Sequence, residues 1–159
     1  MKSLFFIPLV IFMFSLQGCS WVCRFYIANT TNEVITVDVK LMDSTGSFSI
    51  FHYPFHYYGK VRQYKLKKNG NINFESVSDI KADTLEKFSH YKVQIPLNSA
   101  IEIGSLTNDN YTKHDQYFIN GRVFNLERLS ISGKNIEIEP AAFDNYFRKD
   151  KYGEVYFVP

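Results

Sequence analysis

The chain is short of most residues and motifs that announce a chemistry. It has two cysteines in 159 residues, too few for a disulfide framework. No apolar run approaches the about 20 residues a membrane-crossing helix needs; the longest, Leu4 to Phe14, has 11. Lys+Arg number 18 against Asp+Glu 16, so the net charge of +2 gives no basic signature for nucleic acid. There is no Gly-x-Ser-x-Gly elbow, His-Glu-x-x-His pair, glycine-rich phosphate loop or EF-hand spacing. Asn108-Asp109-Asn110 is only superficially like a calcium loop, because the alternate ligand spacing and the distal Glu are missing. No cofactor and no metal is expected, and an enzyme is not the favoured reading. With 45% hydrophobic and 17% aromatic residues, the chain nonetheless has ample material for one globular domain.

The first 18 residues stand apart from that domain. Met1-Lys2-Ser3 gives a positive start, the 11-residue apolar run follows, and Ser15-Leu16-Gln17-Gly18-Cys19 closes it, the layout of a secretory signal peptide. Leu16-Gln17-Gly18-Cys19 resembles the lipobox of bacterial lipoproteins, with an aliphatic residue at minus three, a small one at minus one and then cysteine. The resemblance covers Met1 to Cys19 only. It implies that Cys19 carries a diacylglycerol, that cleavage precedes it, and that its freed amine is acylated. Three acyl chains exceed what stable anchoring needs, so a tether in a bacterial cell envelope is expected. Ser20 in place of Asp after the cysteine implies the outer membrane. The alternative is an ordinary secretory signal with a cysteine there by chance. Cys23 does not fit the pattern, since bulky Val22 precedes it; it is expected to be the first buried residue of the domain. Removing the leader and its one charged side chain, Lys2, leaves 141 residues and a net side-chain charge of +1.

Residues 19–159 read as a single β domain. Ile35, Val37, Val39 and Leu41 alternate with Thr36, Asp38 and Lys40, one apolar and one wet face. Cys23 to Ala28, Val93 to Ile95, Ala100 to Ile103 and Glu154 to Val158 are further strand-like runs. Hairpins are predicted where Val61 to Lys67 and Asn71 to Val77 flank Lys68-Asn69-Gly70, where Gln116 to Ile119 and Arg122 to Asn125 flank Asn120-Gly121, and where Leu129 to Ser132 meets Ile136 to Glu139. Short helices are predicted at Asp83 to Phe88 and at Ala141 to Phe147 after Pro140. Such spacing indicates an all-β, antiparallel sandwich, immunoglobulin-like or related, with one or two short helices. A lipocalin-like barrel is the alternative.

Two surface candidates emerge. In Phe51-His52-Tyr53-Pro54-Phe55-His56-Tyr57-Tyr58 an extended chain lines one face with rings. Tyr53 and Tyr57 are therefore candidate ligand-binding residues, against the plainer reading that the rings fill the core. His52 and His56 would lie about 13 Å apart in a strand, too far to share a metal ion. Lys60, Arg62, Lys65, Lys67 and Lys68 form a basic cluster that suits an anionic lipid or acidic partner, or protects a sheet edge. Arg148, Lys149 and Lys151 invite the same two readings, and Glu137 and Glu139, between isoleucines, read as a solvated strand face. The leading functional expectation is a non-catalytic structural or protein-interaction domain of the envelope, such as an accessory subunit or an immunity-type protein. A glycan- or lipid-binding module is the alternative; an envelope hydrolase has no positive feature behind it.

Overall fold

The computed structural model describes residues 20–42, 48–53, 60–86 and 89–157. The leader, Cys19 and Tyr57 lie outside the described residues. The fold is all-β. The strands are β1 (Val22–Asn29), β2 (Ile35–Leu41), β3 (Phe48–Ser49), β4 (Lys60–Leu66), β5 (Ile72–Glu86), β6 (His90–Ile95), β7 (Ser99–Thr107), β8 (Arg122–Val123), β9 (Leu126–Ile131), β10 (Ile136–Ile138), β11 (Phe147–Lys149) and β12 (Val155–Phe157).

Ten of them form one sheet in the order β10-β9-β2-β6-β5-β4-β7-β1-β12-β11, curled into a half-barrel. The 15-residue β5 joins the two halves, pairing with β4 through its first part and with β6 through its second. Inward residues of both halves, among them Phe25, Val39, Val93, Ile101 and Leu129, share one core. The sheet therefore packs against itself like a sandwich while staying a single hydrogen-bonded unit. All its pairings are antiparallel except β1 with β12, which run parallel.

β2 shows why the sequence pattern works: its residues alternate strictly between buried and partly exposed. Each fully buried Val or Leu contributes roughly 1.5–3 kcal/mol, so a register slip of one residue would forfeit the whole set. β7 carries a bulge, because Phe25 pairs with Gly104 while Tyr26 pairs with Glu102. The extra residue shifts the alternation so that Ile101, Ile103 and Leu106 are all buried. At the bulge the crossing segment Ile50–Phe51 runs close beside β7, with Phe51 bridging Gly104 in the antiparallel sense. A Cβ on Gly104 would lie 2.5 Å from the Ile50 carbonyl oxygen, so only glycine admits the crossing. Buried Asn125 secures the crossing chain, its Oδ1 accepting from the Phe51 N–H at 2.8 Å and its Nδ2 donating to the Phe51 carbonyl at 3.0 Å.

Four expectations change. Asp83 to Glu86 is strand, with Ala82, Asp83, Thr84 and Glu86 opposite Val93, Lys92, Tyr91 and His90. A two-turn helix is marginal alone, and the ladder with β6 plus burial of Ala82 outweighs its local capping pattern. Asn120-Gly121 makes no hairpin. The Asp109 carboxylate takes the Ile119 N–H at 2.6 Å, Ile119–Gly121 form a 3₁₀ turn with Gly121 at φ 67°, and β8 runs parallel to β3. The second predicted helix shortens to a 3₁₀ turn at Pro140–Ala142 followed by α1 (Phe143–Tyr146). Finally, β4 with its basic residues lies inside the sheet between β5 and β7. Protection of an edge is not what those cations do, because the edges are β10 and β11. The hairpins at Asn69-Gly70 and Gly133 form as expected, and Cys23 is buried and unpaired. Burial pushes its thiol up to about 11, so it stays protonated and inert.

Candidate functional site

The outward face of β4, β7, β1 and β12 carries an unusual group of side chains. Arg24 and Tyr26 occupy alternate outward positions on β1. The ladder sets Tyr26 beside Glu102 of β7 and Tyr156 of β12, and sets Tyr64 of β4 beside Ala100 of β7. Tyr26 stacks on Tyr156 at 5.6 Å and meets Tyr64 edge-on at 5.7 Å. These rings form a second, smaller apolar cluster with Ile72 and Ala100, separate from the inner core.

Phe74 closes over this cluster because β5 bulges. Gln63 pairs with Ser78 and Lys65 with Asn73, so residues 74–77 all lie opposite Tyr64 alone. Ser76 Oγ fixes the bulge, accepting from the Lys65 N–H at 2.8 Å and donating to the Asn73 carbonyl at 2.6 Å. The Phe74 ring reaches to 6.1 Å of Tyr26 and 5.9 Å of Tyr64, yet the residue stays 51% exposed.

Charge threads through the same rings. Glu102, its side chain only 8% exposed, accepts the Tyr64 hydroxyl at 2.9 Å and lies 3.9 Å from Arg24 Nε and 3.8 Å from an Arg62 nitrogen. Glu154 accepts the Arg24 backbone N–H at 2.7 Å and faces its guanidinium at 3.5 Å. Burial, with Glu102 beside it, pushes the Tyr64 hydroxyl up to about 12. Burial likewise raises Glu154 against the pull of Arg24. Tyr26 is fully buried, and among the described residues its hydroxyl has no hydrogen-bond partner. The other buried polar atoms in that state among the described residues are single guanidinium nitrogens of Arg122 and Arg128. A buried hydroxyl left unpaired costs about 1–3 kcal/mol, and this one feels the charges of Glu102, Glu154 and Arg24. The face can offer guanidinium N–H donors and the exposed ring of Phe74 together.

The other polar groups hold the fold. His52 Nε2 contacts Ser105 Oγ at 3.2 Å, and Ser105 N–H donates to the Ile50 carbonyl, which ties the crossing segment to β7. Asp144 takes the Tyr111 hydroxyl and the backbone and ring nitrogens of His114, the ring at 2.8 Å, closing the loop before β8 over the core. Among the described residues no group of three or more His, Cys, Asp or Glu could hold a metal ion.

Of the residues singled out from sequence, Tyr53 is buried, its ring against Tyr91 and its hydroxyl 2.9 Å from Thr84, and Phe51 is buried beside Phe25. The structure packs both rings instead of displaying them; Tyr57 and Cys19 lie outside the described residues. Of the basic cluster, only Arg62 joins the outward site, while Lys60, Lys65, Lys67 and Lys68 are exposed. Glu137 and Glu139 are exposed, as a solvated face requires. Sequence reading missed Arg24, Tyr26, Tyr64, Phe74, Glu102 and Glu154. The outward Arg-x-Tyr of β1 was the one available signal. Searched against family models, the chain matches none, and no curated protein and no solved structure matches it.

Proposed function

We propose that the chain is a lipid-anchored protein of the bacterial cell envelope, tethered through Cys19 in the outer membrane, whose β domain is a non-catalytic protein-interaction module. The anchor rests on the likeness of Leu16-Gln17-Gly18-Cys19 to a lipobox. The observation that carries the interaction reading is the outward cluster of Arg24, Arg62, Glu102, Tyr26, Tyr64 and Phe74. Arginine and aromatic side chains dominate binding energy at protein interfaces, and they do so where neighbours already hold them in place. Here the ion pairs and stacked rings supply that preorganisation, and an exposed Phe74 supplies the apolar anchor. The two arginines, each with a third or more of its side chain exposed, suit a partner that presents carboxylates.

The test is recovery of partners from detergent-solubilised native envelopes with the full lipidated chain and with an Arg62→Ala/Phe74→Ala variant of the same chain. A protein retained by the parent and lost by the variant is the expected result. Retention of glycan or lipid with no protein would move the function to the alternative module, and a partner held equally by both chains would place the contact elsewhere.

A further inference from the structure

The cluster above lies on the face of the sheet; a different surface surrounds the point where the chain leaves for Cys19. β1 begins at Val22, so only Ser20 and Trp21 separate the fold from the lipid-bearing residue. Trp21 is itself fastened down. Its carbonyl accepts from the Asn108 N–H at 2.9 Å, its N–H donates to Asn108 Oδ1 at 3.3 Å, and its indole Nε1 donates to the Asp109 carbonyl at 3.3 Å. An extended residue spans at most about 3.6 Å, so the end of the domain holding Trp21 is kept within roughly 10 Å of the acyl attachment.

That end is lined with the side chains that suit a lipid headgroup layer. Trp21 is 58% exposed and Tyr117 89%, with Ile119 and Tyr152 also exposed. They are connected through short contacts. Asp109, whose carbonyl takes the Trp21 indole, also holds the Ile119 N–H. Lys149 of β11 donates to Asn110 Oδ1 and leads into the turn that carries Lys151 and Tyr152, the Lys151 ammonium 4.9 Å from the Tyr152 ring. Tryptophan and tyrosine are the residues enriched at membrane interfaces, and lysines beside them are drawn to anionic headgroups. The acids of this end are paired or tied into the fold, the exposed Asp115 lying 3.1 Å from the Lys113 ammonium. Asp109 is buried and occupied by backbone N–H groups, and Asp150 accepts the N–H of Tyr152 and of Glu154.

We propose that this end of the domain, bearing Trp21, Tyr117, Ile119, Tyr152, Lys149 and Lys151, rests in the headgroup layer of the membrane that carries the anchor. The proposal depends on the lipid-anchor reading given above. It fixes the orientation of the domain: the opposite end, at the turn of Leu97 between β6 and β7, points away from the bilayer, and the Arg24–Phe74 face stands to the side where a partner can reach it.

Trp21 is the only tryptophan in the chain, which makes a direct test available. The mature lipidated protein is placed in phosphatidylcholine–phosphatidylglycerol vesicles whose acyl chains are brominated close to the headgroup. Mass spectrometry first reports whether Cys19 is acylated. The fluorescence of Trp21 is then compared with that of a Trp21→Phe/Tyr152→Trp chain and a Trp21→Phe/Leu97→Trp chain. Expected are blue-shifted emission and loss of more than half the intensity for the reporters at 21 and 152, and unshifted, unquenched emission at 97. Quenching at 21 without quenching at 152 would mean that the tether alone brings Trp21 close, and would overturn the docked face. Equal quenching at 97 and 152 would overturn the orientation. An acylated chain with no quenching at 21 or 152 removes this proposal alone, whereas an unacylated Cys19 removes the anchor reading and the proposal with it.

Discussion

The two halves of the sheet turn outward faces to solvent that are built on the same alternation and end in different chemistry. On β2 and β6 the outward residues are polar or charged. Asp38 takes His90 at 2.7 Å and Lys92 at 3.1 Å, and Lys40 pairs with Glu127 at 2.8 Å. On β1, β4, β7, β12 and the first part of β5 the outward residues include tyrosines and a phenylalanine with charges drawn in among them, and one hydroxyl is buried with no partner among the described residues. A solvated face needs no such arrangement. Aromatic area withdrawn from water on the outside of a sheet, together with an unpaired hydroxyl, marks a surface whose composition folding alone does not require.

Substitutions can sharpen that contrast. The largest effect belongs to neither outer face but to the core between them: Phe25→Ala should lower stability by about 3–5 kcal/mol, while Lys92→Ala on the plain face should stay within about 0.5 kcal/mol, both by chemical denaturation. Gly104→Ala, which drives a methyl group into the Ile50 carbonyl, should lose about 1–3 kcal/mol, and a normal unfolding midpoint would mean that the crossing segment is not held as described. Tyr26→Phe has the opposite sign. Removing a buried hydroxyl that lacks a partner should stabilise the domain by about 1 kcal/mol, and a destabilised Tyr26→Phe would show that the hydroxyl is satisfied in solution.

The smallest effects separate the two faces by pH. Burial opposes ionisation of Asp38, but His90 and Lys92 outweigh it and hold the carboxyl below its usual 3.8. Its contribution is complete above that value and is lost as pH falls through the folded-state value, so the loss caused by Asp38→Asn should be full at neutral pH and shrink in acid. Glu154 is raised above its usual 4.5, chiefly by burial. Folding therefore favours its protonated form, and the benefit of a neutral side chain in Glu154→Gln should be largest at neutral pH and fade as pH falls towards 4.5. Urea midpoints measured across pH 3 to 7 should give slopes of opposite sign for the two variants.

How much of this was legible depended on whether a local pattern or a distant contact decided the outcome. β2 could be read because burial on one side alone fixes its alternation, and Asn69-Gly70 and Gly133 because a tight turn demands those residues. Asp83 to Glu86 could not, since its partner β6 outweighs a good helix start, and neither could Asn120-Gly121, where Asp109 diverts the backbone from 10 residues away. The outward site was mostly hidden for the same reason. Arg62 stood out as one of a run of cations, but Tyr26 looks like any strand aromatic until its neighbours are known, and Phe74 reaches it only through a bulge with no glycine to mark it. The rings of Phe51 and Tyr53 drew attention as a possible platform, and they pack inward because Gly104 and Asn125 draw their segment onto β7.

The most direct test of the account compares photo-crosslinks from the two outward faces in intact cells. A photoreactive amino acid is placed at Phe74 in one full-length chain and at Lys92 in another. The account predicts a discrete protein adduct from position 74 and none from position 92. Adducts to the same protein from both positions, or from 92 alone, would contradict it.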